Sequence, residues 1–207
     1  VTLIDSANGD KQQERAGILG SLGATVSLGV SELPDSNFDL IVTSPGLPPQ
    51  HPFHLQAQAR KIPIWGELEL AWRLRNPDSA ATWLCVTGTN GKTTTTLMLE
   101  SILRSAGYRV TAAGNIGNSL VDVVMHDVLD VIAIEVGAPQ LPFVNSMSTW
   151  ASACLNLAAD HVDHFGGFDQ YRAAKSRVYE HTQYAAVYNN ADQATIEMVE
   201  NADGIEG

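Results

Sequence analysis

The sequence contains few cysteines, few basic residues and no long hydrophobic run. Its two cysteines among 207 residues, Cys85 and Cys154, lie in apolar, strand-like segments. We interpret them as small buried side chains and not as a disulfide. Twelve Lys and Arg face 23 Asp and Glu, and the net charge of −11 argues against nucleic acid or an anionic membrane as a partner. Because no apolar run reaches membrane-spanning length and the N-terminus carries no signal pattern, we expect a cytoplasmic protein.

Strand-like and helix-like segments alternate along the whole chain. This alternation predicts an α/β protein with parallel sheets and crossover helices. The composition of Asn76-Pro77-Asp78-Ser79 is typical of a linker, so we place a domain boundary there, between residues 1–78 and residues 79–207. The chain opens directly on a strand and closes after a helix. We therefore expect a fragment in which a first strand is absent and the second domain is incomplete.

One segment, Gly88-Thr89-Asn90-Gly91-Lys92-Thr93-Thr94, carries the strongest functional signal. It lies between an apolar strand and a stretch with helical spacing. A glycine-rich turn at such a position directs several backbone N–H groups to one spot, where the helix N-terminus favours an anion. Lys92 would contact phosphate oxygens, and the Thr93 hydroxyl would reach a magnesium ion. Val86 occupies the position of a glycine in the strict phosphate-loop pattern, so we interpret the segment as a shorter relative of that loop.

Acidic and histidine side chains follow two other predicted strands. Glu135 ends the apolar run 131–134, and we expect its carboxylate to face the loop magnesium. The cluster Asp160-His161-Val162-Asp163-His164 follows the predicted strand 153–157. Histidine and aspartate clustered in this way would bind a metal or fix a substrate oxygen, and we favour His161 over His164.

Three further features carry a weaker functional signal. From spacing alone, Lys175 is a surface lysine on a helix. Asn115, between Gly114 and Ile116-Gly117, either contacts a substrate through its amide or only forms a turn. The segment Ser44-Pro45-Gly46 is either an anion-binding turn or a tight bend.

Taken together, these residues resemble the Mur ligase family of peptidoglycan synthesis, whose members share a loop of the form Gly-Thr-Asn-Gly-Lys-Thr-Thr. The order and spacing of the motifs follow the family over most of the chain. They are most similar to the member that adds D-glutamate to UDP-N-acetylmuramoyl-L-alanine. The segments that carry the resemblance are 43–46, 65–71, 88–94, 114–117, 155–157 with Asp160-His161, and 171–175 with Arg177 and Tyr179.

The resemblance implies a Rossmann-like first domain that binds the UDP substrate and a P-loop-type central domain that binds ATP. A third domain, which holds the amino acid, is expected beyond Gly207. The implied reaction begins when the carboxylate of UDP-N-acetylmuramoyl-L-alanine attacks the γ-phosphate of ATP. The amine of D-glutamate then attacks the acyl phosphate to form an amide. We expect a monomer without nucleic-acid or membrane partners.

The resemblance also implies roles for individual residues, and for Lys175 it overrides the surface interpretation. Two magnesium ions are implied, with Lys175 carried as a carbamate. The implied catalytic residues are Lys92, Glu135, His161 and Lys175. The implied metal ligands are Thr93, Glu135, His161 and Lys175, and the implied nucleotide-binding residues are Gly88, Thr89, Asn90, Gly91, Lys92, Thr93 and Thr94. The implied substrate contacts are Ser6 and Gly46 for the uridine diphosphate and Asn115 for the muramoyl part. Ser44 and His161 are further implied substrate contacts.

The chain departs from the family pattern at two places. One residue after the metal-binding glutamate the family usually has Ser-Ser-Phe-Gln-Leu, whereas this chain has Gly137-Ala138-Pro139-Gln140-Leu141. Ala7 stands where some members have an arginine. Two alternatives stay open: another ligase of the superfamily, such as a folylpolyglutamate synthetase or one adding a different amino acid, and a nucleotide-binding fragment without turnover.

Overall fold

The structure, a computed structural model, describes residues 1–78, 80–160 and 162–202. They form an α/β fold with mostly parallel strands, as the alternation of segments predicts. The strands are β1 (Thr2–Asp5), β2 (Thr25–Leu28), β3 (Ile41–Val42), β4 (Ile64–Trp65), β5 (Thr82–Thr87), β6 (Val110–Gly114), β7 (Val131–Glu135), β8 (Ala151–Cys154) and β9 (Ala185–Tyr188). The α-helices are α1 (Asp10–Ser21), α2 (Pro52–Ala59), α3 (Glu67–Leu74), α4 (Lys92–Ser105), α5 (Leu120–His126), α6 (Val162–Phe165), α7 (Phe168–Ser176) and α8 (Gln193–Glu200).

The chain divides into two compact units. The first consists of Val1–Ile41 and Gln50–Ile64, and the second consists of Val42–Pro49 and the chain from Trp65 onward. In this division α3 belongs to the second unit, because it packs on α5. The functional domain boundary that we place after Asp78 stays a prediction.

The N-terminal strands form two small sheets. β1 and β2 pair in parallel, with Thr2 opposite Thr25 and Asp5 opposite Leu28, and α1 is the crossover between them. β3 and β4 form a separate two-stranded sheet. The alternation of segments predicts parallel sheet here, and β3 and β4, each two residues long, pair with each other in a sheet separate from β1 and β2.

The second unit is built on a five-stranded sheet in the order β6-β7-β5-β8-β9, with every neighbouring pair parallel. Its central strands are apolar and buried, as expected where both faces of a parallel sheet are covered. β5 lies between β7 and β8, so the sheet extends from β5 through β7 and β6 in one direction and through β8 and β9 in the other. The strand order therefore reverses its direction at β5, which is the switch point of the sheet. Ligand crevices in such sheets lie at the carboxyl ends of the strands, at this switch point.

Several local elements differ from the sequence prediction. β8 ends at Cys154 and not at residue 157, because the residues after it hydrogen-bond to the loop that follows β5. The segment 168–180, whose spacing is helical in the sequence, is not one α-helix: α7 ends at Ser176 and a 3₁₀ turn follows over Arg177–Tyr179. A 3₁₀ helix over Ala138–Phe143 was not predicted, and its two prolines lack the N–H group that a longer α-helix would use.

The two cysteines lie in the core of the fold. Cys85 and Cys154 are free thiols and both are buried, so the interpretation as small core residues is confirmed. Burial raises the pKa of Cys154 to about 11. Within the residues that the structure describes, no helix has both the length and the apolar character needed to cross a bilayer.

The first residue of α3, Glu67, caps the N-terminus of α5. Its Oε1 accepts hydrogen bonds of 2.9 Å from the Ser119 hydroxyl and from the Leu120 N–H. N–H groups in the first turn of a helix have no partner within the helix, and a carboxylate there also interacts favourably with the helix dipole. Glu67 therefore joins α3 to the start of α5.

Glu69 is fully buried and is held by four hydrogen bonds. Its Oε2 accepts from the N–H groups of Asn145 and Ser146, both at 2.8 Å, and its Oε1 accepts from the Ser146 hydroxyl at 2.6 Å and from Arg73 Nε at 2.8 Å. Burial acts to raise its pKa. The hydrogen bonds from Ser146, Asn145 and Arg73 outweigh this effect and lower the pKa to about 2. Glu69 is thus an ionised group of the core that fixes the loop after the 3₁₀ helix.

We predict that Glu69→Gln destabilises the fold in a pH-dependent way. The pKa falls from 4.5 to about 2, so the ionised carboxylate stabilises the fold fully above pH 4.5 and loses this effect as the pH falls toward 2. The shift corresponds to a loss of about 3 kcal/mol in the free energy of unfolding at pH 7. Urea unfolding at pH 7, 5 and 3 measures it, and the difference from wild type should shrink at pH 3.

The matched control is Glu100→Gln, which removes a glutamate from an i,i+4 pair with an exposed Arg104. It should cost less than about 1 kcal/mol. A Glu69→Gln penalty that is equally large at pH 7 and pH 3 would show that the ionised carboxylate is not the stabilising group.

Candidate active site

The loop between β5 and α4 turns at two glycines. Gly91 directly precedes α4 and has a φ of +84°, and Gly88 has a φ of +152°. At Gly88 a Cβ would lie 3.1 Å from Leu155 Cβ, so both the conformation and the space favour glycine. The turn presents the first N–H groups of α4, which have no partner within the helix. The turn has the geometry that the sequence predicts for an anion-binding loop, and the binding itself stays a prediction.

Two lysines converge on the loop from different elements. Lys92, the first residue of α4, donates from Nζ to the carbonyls of Gly88 and Thr89, both at 3.0 Å. Lys175 on α7 donates to the same Gly88 carbonyl at 3.1 Å, and only 1% of it is exposed. The surface interpretation of Lys175 from spacing is therefore wrong. The helix α7 that carries it packs on α6, on α8 and on the 3₁₀ helix 138–143, so this tertiary packing, which the spacing does not reveal, accounts for the burial.

The surroundings of Lys175 lower the pKa of its side chain. Burial is the main cause that lowers its pKa, to about 8; the neighbouring Cys154 and Asp160 oppose this shift, and the charge of Lys92 adds to it. The Lys175 Nζ also lies 5.0 Å from the centre of the Tyr171 ring, which favours the charged form. Near neutral pH a fraction of this lysine is therefore a neutral, nucleophilic amine.

Glu135 lies at the carboxyl end of β7 with its carboxylate between two polar side chains. Its Oε2 accepts a hydrogen bond of 2.7 Å from the Thr93 hydroxyl, and its Oε1 accepts one of 2.8 Å from the Asn115 amide. Glu135 is 2% exposed. Asn115 also donates its backbone N–H to the Glu135 carbonyl at 2.9 Å. The structure therefore brings Thr93, Glu135 and Asn115 together at the start of α4.

The segment after β8 hydrogen-bonds to the other side of the loop. The side chain of Asn156 pairs with the backbone of Asn90, and the Thr89 hydroxyl contacts Ala158 and, at 3.1 Å, the Tyr171 hydroxyl. Asn156 and Tyr171 were not predicted as site residues. Both lie in motif segments already singled out in the sequence, 155–157 and 171–175, and that placement is the signal that could have found them.

Four other predicted site residues, Ser6, Ser44, Gly46 and Thr94, are exposed. Thr94 is exposed in the first turn of α4, and Ser6 is exposed in the first unit, directly after β1. The Ser44 hydroxyl accepts a hydrogen bond of 3.3 Å from the Gly46 N–H, which closes an exposed turn. His161 lies outside the described residues. Within the described part of the chain, no three His, Cys, Asp or Glu side chains are grouped so as to hold a metal ion.

The segment that departs from the family pattern packs beside Asn115. Gly137 donates its N–H to Gln140 Oε1 at 2.8 Å, and a Cβ at Gly137 would lie 3.2 Å from Asn115 Oδ1. Ala138 is buried in a small apolar cluster with Phe165 and Tyr171. The small residues at 137 and 138 therefore allow Asn115 and α7 to approach the end of β7.

Residues 86–205 match the family described as the Mur ligase middle domain. The chain belongs to the Mur ligase family. It is 45% identical over 208 residues to the UDP-N-acetylmuramoylalanine–D-glutamate ligase of Streptomyces avermitilis, a match that covers 100% of this chain and 44% of the relative. The ligase of the same name from Leifsonia xyli subsp. xyli is 43% identical over 213 residues, covering 94% of this chain and 41% of the relative. The chain thus spans less than half the length of these curated Mur ligases.

A solved Mur ligase structure has the same fold. The crystal structure of MurF ligase from Thermotoga maritima in complex with ADP matches with a TM-score of 0.57 at 15% identity, covering 96% of this chain and 45% of that chain. At this identity the match supports the α/β architecture and carries no information on ligands.

We predict that Gly114→Ala destabilises this Mur ligase more than Gly107→Ala. Both glycines have positive φ, +99° at Gly114 and +91° at Gly107, so an alanine is strained at either position. A Cβ at Gly114 would lie 2.5 Å from the Glu135 carbonyl oxygen, whereas at Gly107 nothing lies within 4 Å. The extra loss at Gly114 should exceed about 1 kcal/mol, because a backbone oxygen has to move. Thermal and urea unfolding measure both variants, and equal losses would contradict the close approach at Gly114.

Proposed function

We propose that this chain forms the substrate-binding and ATP-binding parts of a UDP-N-acetylmuramoylalanine–D-glutamate ligase. The observation that carries the proposal is the loop 88–94 at the switch point of the sheet, with Lys92 folded over it and Glu135 at its edge. The 45% and 43% identities to relatives of that name support the same reaction. Residues 1–78 would bind the UDP substrate and residues 79–207 would bind ATP, in the cytoplasm.

The residues of the loop fit the phosphoryl-transfer step. The reaction brings a substrate carboxylate to the γ-phosphate of ATP, and both groups are anionic. Lys92 would leave the Gly88 and Thr89 carbonyls to contact the β- and γ-phosphates, while the N–H groups at the start of α4 hold the phosphate chain. Charge stabilisation of this kind is the largest part of catalysis in such transfers. The acyl phosphate formed with release of ADP then reacts with the amine of D-glutamate, releasing phosphate and leaving an amide.

The oxygen atoms at the end of β7 fit a magnesium ion. The Thr93 hydroxyl and the Glu135 carboxylate lie 2.7 Å apart, and both are the hard oxygen ligands that magnesium prefers. Bound there, magnesium would neutralise phosphate charge. A second ion would use His161 and Lys175. The buried amine of Lys175, with its pKa lowered to about 8, is suited to react with carbon dioxide, which would turn it into a carbamate with oxygen ligands.

The remaining predicted contacts belong to the acceptor substrate. Asn115 would hold the muramoyl end of the substrate through its side-chain amide, which uses one N–H in the bond to Glu135. Ser6, Ser44 and Gly46 would contact the uridine diphosphate. The specificity for D-glutamate as the incoming amine rests on the names of the relatives, so it needs a direct test.

That test is phosphate release from ATP by the full-length product of the gene that carries this sequence. UDP-N-acetylmuramoyl-L-alanine is supplied with a panel of amino acids, including L-alanine, L-glutamate, D-glutamate and diaminopimelate. We expect turnover with D-glutamate alone. Turnover with a different amino acid, or with a folate in place of the UDP substrate, would assign the chain to another ligase of the superfamily.

We predict that Lys92→Ala lowers kcat by about 10³-fold or more, because it removes the cation that stabilises charge on the transferred phosphoryl group. The matched control is Lys11→Ala, which removes an exposed lysine from α1 in the first unit. The control should retain activity within about twofold. Near-normal turnover by Lys92→Ala would remove the loop lysine from the mechanism.

We predict that Lys175→Ala is inactive and is partly rescued by a short-chain carboxylate. If Lys175 acts as a carbamate, acetate or formate supplies the lost oxygen ligands, and phosphate release should rise with its concentration. Lys92→Ala is the control, because a carboxylate cannot replace a cation. Rescue of both variants, or of neither, would contradict the carbamate.

A further inference from the structure

We propose that Asn156 is a positioning residue that holds the nucleotide loop in its binding conformation before the nucleotide arrives. The inference rests on the proposed function, since it concerns the affinity of the same loop for ATP. Asn156 acts through Asn90 and Thr89, and no contact between Asn156 and the reacting atoms is required.

The side chain of Asn156 pairs with both backbone polar groups of one loop residue. Its Oδ1 accepts a hydrogen bond of 2.9 Å from the Asn90 N–H, and its Nδ2 donates one of 3.0 Å to the Asn90 carbonyl. A side-chain amide carries a hydrogen-bond acceptor, its oxygen, and a donor, its NH₂ group. It can therefore bond to the N–H and the carbonyl of one residue, as the backbone of a neighbouring strand would. The backbone of Asn156 adds a third bond, since its carbonyl accepts from the Thr89 N–H at 3.0 Å. Two successive loop residues are therefore held by one residue.

Asn156 is itself fixed to the sheet on both sides. Before it, the Leu155 N–H donates to the Thr87 carbonyl at 3.0 Å, which extends the β5–β8 pairing by one bond. After it, the Leu157 N–H donates to the Asp192 carboxylate at 2.8 Å, next to the start of α8. The hydrogen bonds of Asn156 thus connect the loop to the sheet and to the start of α8.

We expect the loop to depend on these hydrogen bonds because its glycines give its backbone conformational freedom. Gly88 and Gly91 flank Thr89 and Asn90, and glycine has the largest backbone freedom of any residue. Asn90 is exposed, so burial does not order it. Without the hydrogen bonds from Asn156, nucleotide binding would have to order the loop. The conformational entropy lost in that step would weaken the affinity for ATP.

The test compares Asn156→Ala with Asn189→Ala in the full-length protein. Asn189 also follows a strand of the sheet, but its side chain bonds to the Leu155 carbonyl and the Ala191 N–H. For Asn156→Ala we expect the KM for ATP to rise about tenfold and kcat to stay within about twofold, because uniform binding is lost and the chemical step is kept. Amide hydrogen exchange at Asn90, measured without nucleotide, should become at least about tenfold faster. Asn189→Ala should change none of these values by more than about twofold.

Each other outcome has a definite meaning. A merely structural role lowers the folded fraction, so kcat falls while KM is unchanged, and this result overturns the inference. Faster exchange at Asn90 with an unchanged KM also overturns it. A wild-type protein that neither binds nor turns over ATP would overturn the proposed function, whereas unchanged KM and exchange in Asn156→Ala beside an active wild type overturn the inference alone. If Asn156→Ala does not fold, Asn156→Ser is measured instead, with the same expected rise in KM.

Discussion

The pairing of β5 with β7 on one side and β8 on the other brings the loop 88–94, Glu135 and Asn156 to one edge of the sheet. In this register Val86 is opposite Glu135 and Thr87 is opposite Cys154. All three strands run in parallel, so their carboxyl ends, and the residues that follow them, meet at one edge of the sheet. A slip of one residue would turn the Glu135 side chain to the opposite face and separate it from Thr93. Strand register is thus the constraint on which the site depends.

The parts of the site that the sequence predicts are those whose signal is local. The loop 88–94 could be predicted because its glycines, its lysine and its flanking strand and helix are contiguous. Glu135 could be predicted because an acidic residue at the end of an apolar strand has a known position in a parallel sheet. The order of strands and helices in the second unit follows from the same local periodicity. The roles of these residues in catalysis stay predictions.

The parts that local patterns miss depend on tertiary packing. Lys175 has the spacing of a surface residue, and it is buried through the tertiary packing of α7, whose contacts include the 3₁₀ helix 138–143. The pairing of Asn156 with Asn90 joins positions far apart in the chain, so neither residue carries a local sign of it. The glutamates of α3 are a similar case. Their segment marks the family, but Glu67 and Glu69 cap a helix and fix a loop, which are structural functions.

Two lysines concentrate positive charge at the loop, although the chain as a whole has a net charge of −11. Lys92 and Lys175 donate to the same Gly88 carbonyl at 3.0 and 3.1 Å. Their ammonium groups therefore lie within about 6 Å of each other, where like charges repel, and the charge of Lys92 contributes to the lowered pKa of Lys175. A phosphate chain at the start of α4, or conversion of Lys175 to an anion, would relieve this repulsion, so the arrangement gains most from the ligand and the modification that we propose.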